Sequence, residues 1–315
     1  MSTKKLGSPD KPLMRRNGKM LVIPGPASLD LGKRVAKLLN VRAVNVVFKR
    51  FPDGESYIRV EDELKGEEVA IVQTTSPPQD TNLFQLFLIA DAANDLGARK
   101  ISAVVPYLAY SRQDKRFLSG EAFSIKIVAR LLKDSGADRL LTVNSVHDRK
   151  ILARFPLQTQ SISAIPFLAE HFRNRGLEGA FALAPDEGAK DYAIAAAGVL
   201  NGDYGWRHKE RDRYTGVISF RKEEFDVKGK DAIIFDDIIS TGSTTAESVK
   251  MLKVQGAKRV FSACVHPLLV GDAEKRIMDN GAEEIVGTDC VPSRVSKISV
   301  APLIAKALLQ PWKEA

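Results

Sequence analysis

The chain has 315 residues, 44% hydrophobic and 27% charged, with 47 Lys plus Arg against 39 Asp plus Glu and a formal net charge of +8. This is a globular, soluble composition long enough for two domains of ordinary size, and without a run of 18 apolar residues it excludes a membrane-spanning helix. Two cysteines, Cys264 and Cys290, sit in apolar strand-like runs without metal-ligand spacing, so a reduced, cytoplasmic setting is expected.

The basic excess raises nucleic acid, membrane or small anions as partners. Part of it belongs to residues 1–19, where Lys4, Lys5, Lys11, Arg15, Arg16 and Lys19 occur without apolar periodicity. That stretch reads as a disordered basic tail lacking the apolar core of a signal peptide. Only this tail supports a basic nucleic-acid binder, and it does so without aromatic interleaving.

From Met20 the pattern alternates. Apolar runs at Met20–Pro24, Val44–Phe48, Val69–Thr74 and Ile101–Pro106 read as strands, and Leu31–Leu39 and Thr81–Leu96 as helices. Alternation of this kind predicts a parallel α/β sheet flanked by helices. The sequence also repeats itself. Leu96–Pro106 resembles Gln255–Pro267, and Gly136–Leu140 resembles Gly281–Ile285, so the two halves read as one duplicated α/β unit. The landmark glycines Gly97 and Gly136 are 39 residues apart, whereas Gly256 and Gly281 are 25 apart. The first half therefore carries an insertion near Ser111–Ser124, a charged segment after a strand end, which is where α/β sheets bind ligands.

In the second half Phe181–Ala184 reads as a strand and Lys190–Leu200 as a helix. The turn Pro185-Asp186-Glu187-Gly188-Ala189 between them makes an anion-ready helix start. Trp206–Arg211 and Gly216–Phe220 read as two short runs of a hairpin. The most informative stretch follows. An apolar strand, Ala232–Phe235, leads into an acidic turn, Asp236-Asp237, a small hydroxyl-rich loop, Ser240-Thr241-Gly242-Ser243-Thr244, and a helix over Thr245–Leu252. A loop of small residues at a helix start can wrap its N–H groups around a phosphate, and paired carboxylates suit sugar hydroxyls. Together they describe a ribose 5-phosphate site. A merely capped strand-helix junction explains one or two of these residues but not two adjacent acids and the whole loop.

That stretch resembles the phosphoribosyl diphosphate motif shared by type I phosphoribosyltransferases and ribose-phosphate diphosphokinases. The other motifs, over Met20 to Leu309, match the diphosphokinases, and the Lys115–Glu121 loop with His147-Asp148 is most like their archaeal-type branch. The resemblance implies two tandem phosphoribosyltransferase-like domains, 20–156 and 157–298, with the C-terminal helix 299–312 a candidate to pack back on the first. It implies an ATP site formed by Phe51, Asp53, Gly54 and Glu55 with Arg112, Gln113 and Asp114, shared between subunits of a homo-oligomer. It assigns the ribose 5-phosphate site to Asp236, Asp237, Ser240, Thr241, Gly242, Ser243 and Thr244, and the diphosphate loop to Asp186, Glu187, Gly188 and Ala189. Mg²⁺ would be held by His147 and Asp186, and Lys209 and Arg211 would be the catalytic pair on a hairpin. Three positions depart from the family pattern: Ser145 where an acid usually stands two residues before His147, Ala189 in place of a glycine, and Pro52 in place of a serine.

The implied activity is transfer of the diphosphoryl group of ATP to ribose 5-phosphate. A type I phosphoribosyltransferase would share the central loop but not the Phe51–Glu55 and Arg112 motifs or the duplicated half. A non-catalytic regulatory paralogue would have less reason to keep Lys209 and Arg211.

Overall fold

A computed structural model describes residues 20–113, 116, 118–144, 155–211, 218–220 and 223–312. The basic tail, Asp114, Lys115 and His147 lie outside the described residues. The described residues fall into two units, one running to Ile162 and taking in Val300 onward, the other Ser163–Ser299.

In the first unit a five-stranded parallel sheet has the order β1-β4-β5-β6-β7, with β1 Met20–Pro24, β4 Glu68–Val72, β5 Lys100–Val105, β6 Arg139–Val143 and β7 Gln158–Ile162. β7 pairs with β6 and therefore belongs to this unit. Residues of β1, β4 and β5 are almost wholly buried, as expected for strands covered on both faces. The connecting helices are α1 Leu29–Leu39, α2 Gln79–Asp95 and α3 Ser124–Asp134. The C-terminal helix Ala301–Leu309 packs on α1. Beyond it, the Trp312 ring lies 5.1 Å from the Arg139 guanidinium.

One expected sheet strand is not in that sheet. The run expected over Val44–Phe48 forms β2, Val46–Arg50, which pairs antiparallel with β3, Ser56–Val60, as a separate hairpin. Its turn contains Asp53-Gly54, with Gly54 at φ 99°, a conformation glycine adopts without strain. Among the described residues an isolated bridge from Val22 to Ala43 joins the start of this segment to β1.

The second unit is a six-stranded sheet in the order β15-β14-β13-β12-β8-β9. Its strands are β8 Phe181–Ala184, β9 Tyr204–Trp206, β12 Ala232–Ile239, β13 Val260–Pro267, β14 Glu284–Thr288 and β15 Ser296–Ile298. The helices are α4 Ile165–Asn174, α5 Lys190–Leu200, α6 Ser243–Val254 and α7 Ala273–Asp279. Read from the other edge, β8-β12-β13-β14-β15 repeats the order β1-β4-β5-β6-β7, so the duplication suggested by the sequence repeats is present in the topology. Trp206 does not open the expected hairpin. It ends β9, which pairs parallel with β8, and the hairpin is β10 Lys209–Arg211 against β11 Ile218–Phe220. The core beneath β12 is aromatic: Phe172 of α4 meets the rings of Phe235 and Phe261 at 6.4 and 5.6 Å.

Candidate active site

The site grows from the carboxyl end of β12. Ala232, Ile233, Ile234 and Phe235 are fully buried, and the strand continues through the two acids instead of turning before them. Asp236 stands in register with Cys264 of β13, and pairing resumes at Ile238 with His266. The expected acidic turn is therefore acidic strand, because parallel pairing with β13 holds the backbone extended to Ile239. The Asp237 N–H donates to Asp236 Oδ1 at 2.9 Å, and the Ile238 N–H donates to Asp237 Oδ1 at 2.8 Å.

Protein surrounds the Asp236 carboxyl on most sides although part of its surface stays open. Burial, followed by the neighbouring Asp237 carboxyl and then Asp186, raises its pKa well above the ordinary carboxylate range. Burial likewise raises the Cys264 thiol beside it, so that cysteine is a packed apolar side chain and not a nucleophile.

Beyond the acids, Gly242 has φ 73° and is followed directly by α6. No side chain caps that helix start, so its first N–H groups, which have no intrahelical acceptors, remain available to an anion. The glycine is required twice over. Its φ lies in the left-handed region, and a Cβ there would meet the Ala273 carbonyl oxygen at 3.0 Å and Ile277 Cδ1 at 3.1 Å, both on α7. Thr241 and Ser243 are exposed, and their hydroxyl oxygens are 3.5 Å apart.

Asp186 follows β8, the strand beside β12. Its carboxylate accepts a bond from the Ala189 N–H at 3.3 Å, capping the short turn Glu187–Ala189 that opens α5. Ala189 is itself buried. Among the described residues no three His, Cys, Asp or Glu side chains are arranged as a metal-ligand set.

The hairpin β10–β11 carries Lys209 opposite Phe220 and Arg211 opposite Ile218. Its roots are fixed by residues no motif singled out for that role. The Glu223 carboxylate accepts the His208 N–H at 2.7 Å and lies 2.5 Å from His208 Nδ1. Gln255, at the end of α6, donates to the Glu223 carbonyl at 2.6 Å and accepts the Phe225 N–H at 2.9 Å. Arg207, only 6% exposed, donates to Ser248 Oγ at 3.0 Å, and Ser248 in turn donates to the Thr244 carbonyl at 2.9 Å. A hydrogen-bonded chain thus runs from the hairpin root to the hydroxyl loop.

In the first unit the turn after β2 leaves the Phe51 ring exposed, edge-on to Tyr57 at 6.0 Å. Asp53 and Glu55 are also exposed, and Arg50 Nε steadies the turn by donating to the Gly54 carbonyl at 3.0 Å. Arg112 is exposed too, in the segment after β5, while Gln113 Oε1 accepts a bond from Ser124 Oγ at 2.8 Å. The structure thus brings Asp186, Asp236, Asp237 and the Ser240–Thr244 loop together at neighbouring strand ends of the second unit.

Comparison with known proteins fits this arrangement. Residues 20–136 match the family profile described as the N-terminal domain of ribose phosphate pyrophosphokinase, and residues 224–307 match the phosphoribosyl synthetase-associated domain. A ribose-phosphate pyrophosphokinase of Saccharolobus solfataricus is 42% identical over 86% of this chain and 93% of its own length. The chain belongs to the ribose-phosphate pyrophosphokinase family. Another member, from Methanothermobacter thermautotrophicus, is 42% identical over 91% of this chain and 99% of its own. Both relatives are archaeal, the branch the loop and His147-Asp148 resemble. The crystal structure of the phosphoribosylpyrophosphate synthetase from Mycobacterium smegmatis superposes with a TM-score of 0.81, at 29% identity, over 92% of this chain and 97% of that one. Family, transferase class and tandem α/β architecture are those expected from the motifs.

The raised pKa of Asp236 has a consequence for stability. Ionising the carboxyl in the folded protein is costly. The cost is absent below the unfolded value near 4 and complete once pH exceeds the raised folded value. Asp236→Asn removes that titration at constant size. Without substrates, its melting temperature is expected to rise relative to the wild type as pH increases from about 5 to about 8. A difference between the two that stays flat with pH would contradict the assigned environment.

Proposed function

We propose that the chain transfers the diphosphoryl group of ATP to ribose 5-phosphate, giving 5-phosphoribosyl 1-diphosphate and AMP. The observation that carries the reading is the acid-tipped strand β12 ending in an uncapped, glycine-initiated helix start. It sits in a chain that also presents the exposed Phe51 turn.

In this reading the Ser240–Thr244 loop holds the 5-phosphate with N–H and hydroxyl donors, and Asp236 and Asp237 accept hydrogen bonds from the ribose hydroxyls. Adenine lies against Phe51, with Asp53, Gly54, Glu55, Arg112, Gln113 and Asp114 around the nucleotide, and the Asp186–Ala189 turn receives the diphosphate. The anomeric hydroxyl oxygen forms a bond to the β-phosphorus of ATP and gives up its proton to water. The bond from that phosphorus to the oxygen bridging to the α-phosphorus breaks, and AMP leaves with the electron pair. Such transfers need positioning and charge neutralisation more than covalent help, the role given to Lys209 and Arg211.

A crowded set of hard-oxygen donors, in which Asp237 and Asp186 help to raise the Asp236 pKa, suits a small divalent cation, so Asp186, with His147, would hold Mg²⁺. Among the described residues no three His, Cys, Asp or Glu side chains form a ligand set, which suits an ion that keeps waters and substrate phosphates as ligands. When bound, Mg²⁺ neutralises phosphate charge. A cytoplasmic location fits these soluble substrates, and among the described residues no helix is long and apolar enough to cross a membrane.

With Mg²⁺, ATP and ribose 5-phosphate the protein is expected to release AMP in a ribose 5-phosphate-dependent way, and Lys209→Ala to lower kcat by about 10²- to 10³-fold. Release of ADP instead would overturn the diphosphoryl assignment.

Self-association with a second copy is part of the proposal. The first unit presents an apolar cleft of about 330 Å³ lined by Leu83, Phe84, Phe87, Ile127, Val128 and Leu131, running up to Tyr110 in the segment that carries Arg112. The Phe84 side chain is 59% exposed there, an unusual cost for a monomer. Phe84→Asp is expected to shift the sedimentation coefficient to that of a monomer and to lower activity. An unchanged coefficient would remove this face from the interface.

A further inference from the structure

The hydroxyl loop poses a charge problem. A sugar phosphate arrives as an anion, yet from Asp236 to Thr245 the chain offers two carboxylates and no lysine or arginine. Backbone N–H groups and hydroxyls can cradle a phosphate, but they carry only partial charges, and Asp186 adds a third acid within electrostatic range of Asp236. A formal positive charge is needed at the loop, and none is available in the motif itself.

Helix α7 provides one. Arg276 Nη1 donates to the Thr241 carbonyl at 2.7 Å and to Ser243 Oγ at 3.0 Å, reaching the loop from 33 to 35 residues further along the chain. The approach is firmly built. Ala273 and Ile277, three residues before Arg276 and one after it, are buried and form the surface against which Gly242 is packed, so the same helix face that fixes the glycine aims the arginine. Neighbouring charges of α7 are otherwise engaged: Lys275 pairs with Asp279 at 3.2 Å and Glu274 with Arg294 at 3.0 Å. Arg276 itself makes no ion pair among the described residues, so its charge is not neutralised by a carboxylate.

The hydrogen-bond inventory shows what this arrangement leaves open. A guanidinium has five N–H donors, and the two bonds to the loop both use Nη1. Those on Nη2 and Nε are not spent on the loop. The Ser243 oxygen, by accepting from Arg276, keeps its own O–H to donate. The Thr241 carbonyl, an acceptor that would repel a phosphate oxygen, is engaged by a cation.

We propose that Arg276 is a further binding residue for the 5-phosphate of the sugar substrate, holding the loop in its open-donor form through Nη1 and supplying the positive charge that the loop lacks. The inference rests on the ribose 5-phosphate reading of the Ser240–Thr244 loop and adds to it a residue outside the motif.

Calorimetric titration of the full-length protein with ribose 5-phosphate, and separately with ATP, tests it on four variants. Arg276→Ala is expected to weaken ribose 5-phosphate about 10- to 100-fold, with KM following and ATP affinity and kcat changing far less. Arg276→Gln keeps donors but no charge and is expected to stay weak. Arg276→Lys keeps the charge and is expected to recover most of the affinity. Thr244→Val, a loop variant, reports whether the loop binds the sugar phosphate at all. Recovery by Arg276→Gln as complete as by Arg276→Lys would reduce the arginine to a structural brace and overturn the proposal. Weakened binding in Thr244→Val with none in Arg276→Ala would overturn it while leaving the loop reading intact. No change in either would bring down the loop reading itself.

Discussion

Strand β12 is hydrogen-bonded on both sides, to β8 and β13, and its residues from Ala232 to Phe235 have no exposed surface. A strand confined in this way can present chemistry only where it runs out of the sheet, at its carboxyl end. The remaining features of the second unit follow from that constraint. The two acids occupy the last turns of the pleat, the loop must reverse direction within a few residues, and the helix that follows starts with its N–H groups beside the acids. The Gly242 backbone at φ 73° is what permits so short a reversal, and packing of α7 against its missing side chain fixes where it happens.

Confinement also explains the electrostatics. Carboxylates at a crowded strand end cannot all ionise cheaply, and Asp236 carries the burden in its raised pKa. Such a cluster is costly in a resting protein and is kept where a ligand offsets it, through hydroxyl donors, a cation, or both. What matters locally is the single arginine that α7 brings to the loop.

Much of this was legible in the sequence because it depends on local pattern. The strand-loop-helix order around Asp236, the parallel α/β class and the duplication all come from short-range periodicity and repeated glycine landmarks. The extension of β12 through the acids was not, since it depends on pairing with a strand some 28 residues away, from Asp236 to Cys264. The separate β2–β3 hairpin read as a sheet strand because its apolar run has the same composition as one. Trp206 read as part of the β10–β11 hairpin, and not as the end of β9, because a three-residue edge strand has no period of its own. Arg276, Gln255 and Glu223 carry no motif signal at all. They matter through contacts with residues 15 to 35 positions away, and in that sense they are tertiary facts. Gly242 was anticipated for close approach of a phosphate, but its packing against α7 was not.

The central claim is that the acids select the ribose diol while the loop binds the phosphate. Calorimetry with ribose 5-phosphate, 2-deoxyribose 5-phosphate and inorganic phosphate on the wild type and Asp237→Asn tests it most directly. The wild type is expected to prefer ribose 5-phosphate over the 2-deoxy compound by about tenfold, and Asp237→Asn to lose that preference while binding inorganic phosphate as before. An undiminished preference in the variant, or an equal loss for all three ligands, would contradict the account.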